Sequence, residues 1–208
     1  NGQLLKYVFM VVFTTALSFG LTYMFGYEDE ASSVPAEDKE AEAIIEEETT
    51  GALPASLQDE TIISPIVGQA VALSDVNDPV FSSGAMGQGI AIKPTEGVVY
   101  APADAEVTIA FATGHAYGLK TANGAEILIH VGIDTVSMNG EGFDQKVAQG
   151  DKVKAGDVLG TFDAAKIAAA GLEDTTMVIV TNTADYASVT PVATGSVAKG
   201  DVIIEVKA

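Results

Sequence analysis

From Thr61 to the C-terminus, the apolar residues of this chain fall in short runs separated by glycine, proline and aspartate. Residues 90–92, 98–100, 107–111, 126–131, 158–162, 177–180 and 202–206 all read as strands on this punctuation. Asp163-Ala-Ala-Lys-Ile-Ala-Ala-Ala-Gly171 is the one clear short helix, with aspartate to cap it and glycine to stop it. A weak repeat is also present, because Val153-Lys-Ala-Gly-Asp-Val158 resembles Val197-Ala-Lys-Gly-Asp-Val202. Each copy reads as a strand-turn-strand unit with Gly-Asp at the turn. Many short strands of this kind predict an all-β fold, an antiparallel barrel or sandwich with short helical turns, of about 150 residues.

Two pieces of different material precede residues 61–208. No charged residue occurs from Tyr7 to Tyr27. About 21 such residues can cross the roughly 30 Å hydrocarbon core of a bilayer as a helix. Tyr7 at one end, and Tyr23 and Tyr27 near the other, suit the interfaces. A signal peptide would want a basic start, a shorter apolar run and a small-residue cleavage site; here Lys6 is the only basic residue ahead of the run. Residues 1–27 are therefore expected to be the last membrane helix of a longer polytopic protein, with a buried globular helix as the alternative. Residues 28–60 carry twelve acidic residues against Lys39 alone. Such a segment cannot bury enough apolar surface to offset its ordering entropy, which predicts a mostly disordered acidic linker, with room for a short helix over 37–48.

Composition excludes several function classes. The net charge is −19, and all ten basic residues are lysine. Nucleic acid is not an expected partner, because phosphate neutralisation needs a basic stripe. Without arginine the chain has no guanidinium fork for phosphate or carboxylate. Phosphoryl chemistry would then depend on backbone amides, histidine and a partner's arginines. With no cysteine, neither a disulfide framework nor a thiolate zinc site is available.

The chain has two histidines, and one stands inside the apolar strand Glu126-Ile-Leu-Ile-His-Val-Gly-Ile-Asp134. A strand alternates faces, so His130 shares a face with Leu128 while Ile129 and Val131 point away. His115 lies fifteen positions upstream in Phe111-Ala-Thr-Gly-His115. The two can meet only if the fold pairs their segments, and Asn-Gly in Ala122-Asn-Gly124 is a strong hairpin signal between them. Neutral imidazole can be a nucleophile, a proton shuttle or a metal ligand, or simply a hydrogen-bonded core residue.

Gly87-Gln-Gly-Ile-Ala-Ile-Lys-Pro94, Val99-Tyr-Ala-Pro102, Thr113-Gly-His115, Glu126-Ile-Leu-Ile-His-Val-Gly-Ile-Asp-Thr135 and Asn139-Gly-Glu-Gly-Phe143 together carry a resemblance. They are similar, in order and spacing, to the glucose-family enzyme IIA domain of the bacterial phosphoenolpyruvate-dependent sugar phosphotransferase system. The match runs over essentially all of 61–207. The segments ahead of it resemble the end of an enzyme IIC permease fused to its IIA domain. The resemblance implies that His130 is phosphorylated, that His115 stabilises the phosphoryl group, and that Thr113 orients His115. It places Asp78 and Asp134 at a rim that meets arginine on the phosphocarrier protein HPr, with Phe81, Met86 and Phe111 in an apolar docking ring. Gly114 departs from the family, which often has asparagine there. The implied role is a relay that takes phosphate from HPr and passes it to a cysteine of an enzyme IIB domain, while IIC carries the sugar. No cofactor is required, the localisation is the bacterial cell membrane, and the IIA domain is cytoplasmic.

Phosphoryl transfer demands positioning and charge stabilisation more than covalent machinery. An acidic domain also suits a basic donor face. The rival readings are a zinc metallopeptidase-like barrel, a biotinyl or lipoyl carrier, and a regulatory protein-binding module of the same fold. Catalytic zinc wants three protein ligands, and only two histidines exist, although His115 and His130 could hold zinc transiently with a partner's carboxylate. A carrier would want a lysine beside methionine at a tight turn, and no Met-Lys pair occurs.

Overall fold

The structure, a computed structural model, describes residues 57–208. The expected membrane helix and most of the expected linker lie outside the described residues. Among the described residues, no helix is long and apolar enough to cross a membrane. Fourteen strands form, in chain order β1 Glu60–Ile63, β2 Gly68–Ala72, β3 Gln88–Pro94, β4 Val98–Tyr100, β5 Ala105–Ala110, β6 Ala116–Thr121 and β7 Glu126–Val131. They continue with β8 Phe143–Gln145, β9 Lys152–Val153, β10 Val158–Phe162, β11 Thr176–Val180, β12 Ser188–Pro191, β13 Gly195–Val197 and β14 Val202–Lys207. Two short helices, α1 (Pro79–Ser82) and α2 (Ala164–Ala169), and three 3-10 turns complete the elements.

All the segments expected to be strands are strands, and the expected helix is α2. The Asp163 carboxylate accepts from Ala165 N–H at 2.9 Å and Lys166 N–H at 3.2 Å, and Gly171 beyond the helix has φ +75°. Beyond those seven runs stand α1, which the sequence reading missed, and seven more strands, of which β9 and β13 were implied as the leading arms of the Gly-Asp units. β8, β9 and β13 have three residues or fewer, and β6 is Ala-Tyr-Gly-Leu-Lys-Thr, with few β-branched residues. Such segments become strands because neighbouring ladders pair with them, not through their own propensity.

Every strand pairing is antiparallel. An eight-stranded sheet has the order β13-β2-β3-β11-β7-β6-β5-β9, and two three-stranded sheets have the orders β1-β14-β12 and β4-β10-β8. One core draws on all three, including Ile62, Val99, Ile129, Leu159, Val178 and Ile204. The result is an all-β, sandwich-like fold.

The Gly-Asp repeat marks corners of this sandwich. β9 lies in the large sheet and β10 in the β4-β10-β8 sheet, while β13 lies in the large sheet and β14 in the β1-β14-β12 sheet. Each turn therefore moves the chain from one sheet to another instead of closing a hairpin. Asp157 N–H donates to the Lys154 carbonyl at 2.9 Å, and Asp201 N–H donates to the Ala198 carbonyl at 3.1 Å. Each aspartate carboxylate returns the favour, accepting from Lys154 N–H and Ala198 N–H at 2.8 Å. Ala148-Gln-Gly-Asp151 is a third copy with the same reciprocal bonds.

The large sheet also buries part of its outer face. There a second, smaller cluster gathers Leu73, Val76, Phe81, Ala91, Ala116, Leu128, Met177 and Ile179, with Val71, Met86, Phe111 and Ile133 packed against it. The β3–β11 ladder beneath this cluster depends on close backbone approach. A Cβ on Gly89 would stand 2.2 Å from the Val178 carbonyl oxygen and 2.8 Å from Ile179 Cα. Gly89→Ala should therefore cost roughly 2 kcal/mol or more, read as a lowered urea midpoint. An unchanged midpoint would show that the ladder can spread without loss.

Candidate active site

The hairpin between β6 and β7 creates the site. Its register sets Ala116 opposite His130, and β11 on the other side sets Met177 opposite His130. Val131 N–H donates to the His115 carbonyl at 2.8 Å, which fixes His115 at the mouth of the same ladder. The two imidazoles meet edge to face, with centroids 5.0 Å apart and planes at 80°. His130 lies on the outer face of the sheet with Leu128, and Ile129 and Val131 enter the main core.

Each ring has a defined inner partner. His130 Nδ1 lies 2.8 Å from the Gly132 carbonyl oxygen. A carbonyl can only accept, so Nδ1 carries the proton and Nε2 keeps its lone pair. Gly132 takes φ +78°, and a Cβ there would meet Thr135 Cγ2 at 2.4 Å and the Glu173 carbonyl oxygen at 2.7 Å. The buried Thr135 hydroxyl donates to the Val131 carbonyl and ties this turn down. Across the site, Thr113 Oγ1 lies 2.5 Å from His115 Nδ1.

Apolar groups enclose both rings. The Phe81 ring sits 5.1 Å from His130 and the Phe111 ring 5.3 Å from His115. The histidines are only 8% and 2% exposed, respectively. Burial disfavours the charged imidazolium. His115 is pushed down to about 3, first by burial and then by the neighbouring His130. His130 is also lowered by burial, opposed by the Gly132 carbonyl and by the negative charges of Asp78 and Asp134. Both rings are therefore neutral near pH 7. Asp134, with φ +57°, is exposed at the end of the strand, whereas Asp78 is half-buried at the start of α1.

The fold thus brings together all eight side chains singled out in the sequence: His130, His115, Thr113, Asp78, Asp134, Phe81, Met86 and Phe111. Gly114 has φ +67°, a conformation that asparagine tolerates better than most residues, so the departure from the family preserves the backbone path. The sequence reading missed Gly132, Thr135 and Met177, and with them α1. Asp78-Pro79 carried a usable signal for α1, since aspartate favours the N-cap and proline the first helical position. Among the described residues, no group of three or more His, Asp or Glu side chains is arranged to hold a metal.

The neutral histidines link stability to pH. Below about pH 6.5 the unfolded chain binds protons that the folded chain refuses, so stability falls as pH drops toward the folded value. For each histidine the loss is up to about 1.4 kcal/mol per pH unit. Between pH 6.5 and 5, His115→Gln should therefore lose less stability than the parent, by about 2 kcal/mol, in urea titrations at the two pH values. Equal losses in the two proteins would show that His115 is not held neutral.

Known proteins bear out the architecture. Residues 60–186 match the family model for the phosphoenolpyruvate-dependent sugar phosphotransferase system, EIIA 1. A beta-glucoside-specific EIIBCA component from Dickeya chrysanthemi is 44% identical over 196 residues, covering 94% of this chain and 29% of the relative. A glucose-specific EIIA component from Bacillus cereus is 47% identical over 131 residues, covering 63% of this chain and 79% of the relative. The solved glucose permease IIA from Mycoplasma capricolum superposes with a TM-score of 0.68 at 36% identity, covering 71% of this chain and 96% of that one. The chain spans less than a third of the multidomain beta-glucoside relatives it matches. With an all-β fold of the same kind and a family match across most of the described residues, the chain belongs to the EIIA 1 family of the phosphoenolpyruvate-dependent sugar phosphotransferase system, phosphotransferase components that relay phosphoryl groups in sugar transport.

Proposed function

We propose that His130 is the phosphorylated nucleophile, taking its phosphoryl group from HPr and passing it to a cysteine of an enzyme IIB domain. The observation that carries this reading is the bond from His130 Nδ1 to the Gly132 carbonyl. It leaves Nε2 as a lone-pair nitrogen that attacks phosphorus without prior deprotonation. As the bond from Nε2 to phosphorus forms, the bond from phosphorus to the donor's histidine breaks, and the donor ring keeps that electron pair. The proton stays on Nδ1 throughout, donated to the Gly132 carbonyl. When the group moves on to the thiolate sulfur, His130 departs as the same neutral tautomer.

His115 stabilises the transferring group as a neutral donor. With the Thr113 hydroxyl donating to Nδ1, the His115 proton sits on Nε2, available to a phosphoryl oxygen. Phosphoryl transfer draws its rate mainly from such positioning and charge stabilisation. The remaining positive charge comes from the partner, because this chain has no arginine. Asp134 and the apolar ring of Phe81, Met86 and Phe111 receive that partner's basic face.

We propose that this domain is one part of a longer permease. In that reading residues 1–27, which lie outside the described residues, belong to a IIC portion, residues 28–60 connect it to the rest, and residues 61–208 are the IIA domain on the cytoplasmic side of the membrane. The 196-residue likeness to the Dickeya chrysanthemi protein supports this, since it is longer than the described domain. The linker keeps the relay near its IIB and IIC partners at high effective concentration. A β-glucoside-type sugar is the substrate class that this relative's name supports.

The test is intact-mass analysis of the 208-residue chain in detergent after incubation with enzyme I, HPr and phosphoenolpyruvate. One acid-labile phosphate should appear on the parent and on His115→Gln, and none on His130→Gln. No phosphate on the parent, with phospho-HPr verified in the same tube, would leave a regulatory binding module as the better account.

A further inference from the structure

The two rim carboxylates do different physical work. Asp134 is exposed, and its side chain caps nothing in the 3-10 turn that follows it. One oxygen of Asp78 is engaged within its own chain. Its Oδ1 accepts from Val80 N–H at 2.7 Å and from Phe81 N–H at 3.3 Å, and Pro79 follows at the first helical position. This is an N-cap on a helix of only four residues, α1.

A helix so short has no stability of its own, because nucleation costs more than one turn returns. Packing supports α1 on one side only. Phe81 is buried against the outer cluster, but Val80 beside it is 53% exposed. At the C-terminal end of α1, Ser82, Ser83 and Gly84 border an open depression of about 470 Å³ shared with Leu73 and Gln88. With solvent at one flank and an open depression at its end, the turn rests on the Phe81 packing and the Asp78 cap. What the turn holds in place is the Phe81 ring, 5.1 Å from His130.

We infer that Asp78 is a positioning residue: its carboxylate caps α1 so that Phe81 stands against His130, and Asp134 is the rim carboxylate left free for a partner's cation. This rests on the reading of His130 as the phosphoryl acceptor. It also separates two residues that the family resemblance treats alike.

Asparagine caps a helix about as well as aspartate but carries no charge, whereas alanine does neither. The substitutions Asp78→Ala, Asp78→Asn and Asp134→Asn therefore separate capping from charge. The first measurement is the initial rate of phosphate transfer from phospho-HPr to the 208-residue chain in detergent. The second is the NMR position of the His130 ring protons, which report the Phe81 ring current. Asp78→Ala should slow transfer about fivefold and shift the His130 signals, and Asp78→Asn should restore most of both. Asp134→Asn should slow transfer at limiting HPr and flatten its salt dependence, with the His130 ring-current shift kept. Equal loss of rate in Asp78→Ala and Asp78→Asn, with parental ring shifts in both, would overturn the proposal in favour of a charge contact. Parental rate and shifts in Asp78→Ala would overturn it as well. If the parent itself took no phosphate, the transfer reading would fail, and the ring shifts would still decide whether Asp78 positions Phe81.

Discussion

The β6–β7 register is the constraint on which the rest of the site depends. Opposing Ala116 to His130 puts His115, one residue earlier, beside the His130 ring, and the Val131–His115 backbone bond locks that arrangement. A strand has a side-chain period of two, so a slip of one residue would turn His130 into the main core and expose Ile129 or Val131. The apolar packing of those neighbours is thus what holds the histidine on the outer face. The core is not a passive support here, because it determines which side of the sheet carries chemistry.

Enclosure then decides the state of the rings. A histidine in water is partly protonated near neutrality, but one walled in by Phe81, Leu128 and Met177 pays heavily for charge. The Gly132 carbonyl partly offsets that cost at one nitrogen and so leaves the other free. The same apolar wall presents an uncharged surface, rimmed by carboxylates, to any protein that approaches. The chain has no arginine fork for a phosphoryl dianion, and its acidic balance favours encounter with basic rather than acidic surfaces.

Much of the architecture was legible before any coordinates. Strands such as β7, β10, β11 and β14 are dense in β-branched and apolar residues, so their local preference and tertiary role agree. The Asn-Gly turn announced the hairpin that matters most. β6 was hidden because glycine and alanine stand where neighbouring strands approach closely, and β8 because three residues carry no periodicity. α1 was hidden for another reason: its signal was a cap and a proline, not an apolar stripe. The Gly-Asp repeats were visible as turns, but whether a turn closes a hairpin or crosses between sheets depends on ladders elsewhere in the chain.

The residue types alone establish an arginine-free, cysteine-free chain with one histidine in an apolar strand, and alternation along that strand already puts His130 with Leu128. Local chemistry of this kind is encoded in neighbours along the chain. Only the tertiary structure decides that the His115 ring stands 5.0 Å from that of His130, that the Gly132 carbonyl holds its Nδ1, and that the turn Asp78 caps sets Phe81 against His130. Those relations join segments fifteen to about fifty residues apart, or turn on a single backbone carbonyl. They exist only once hydrophobic burial has fixed the register of the strands between them.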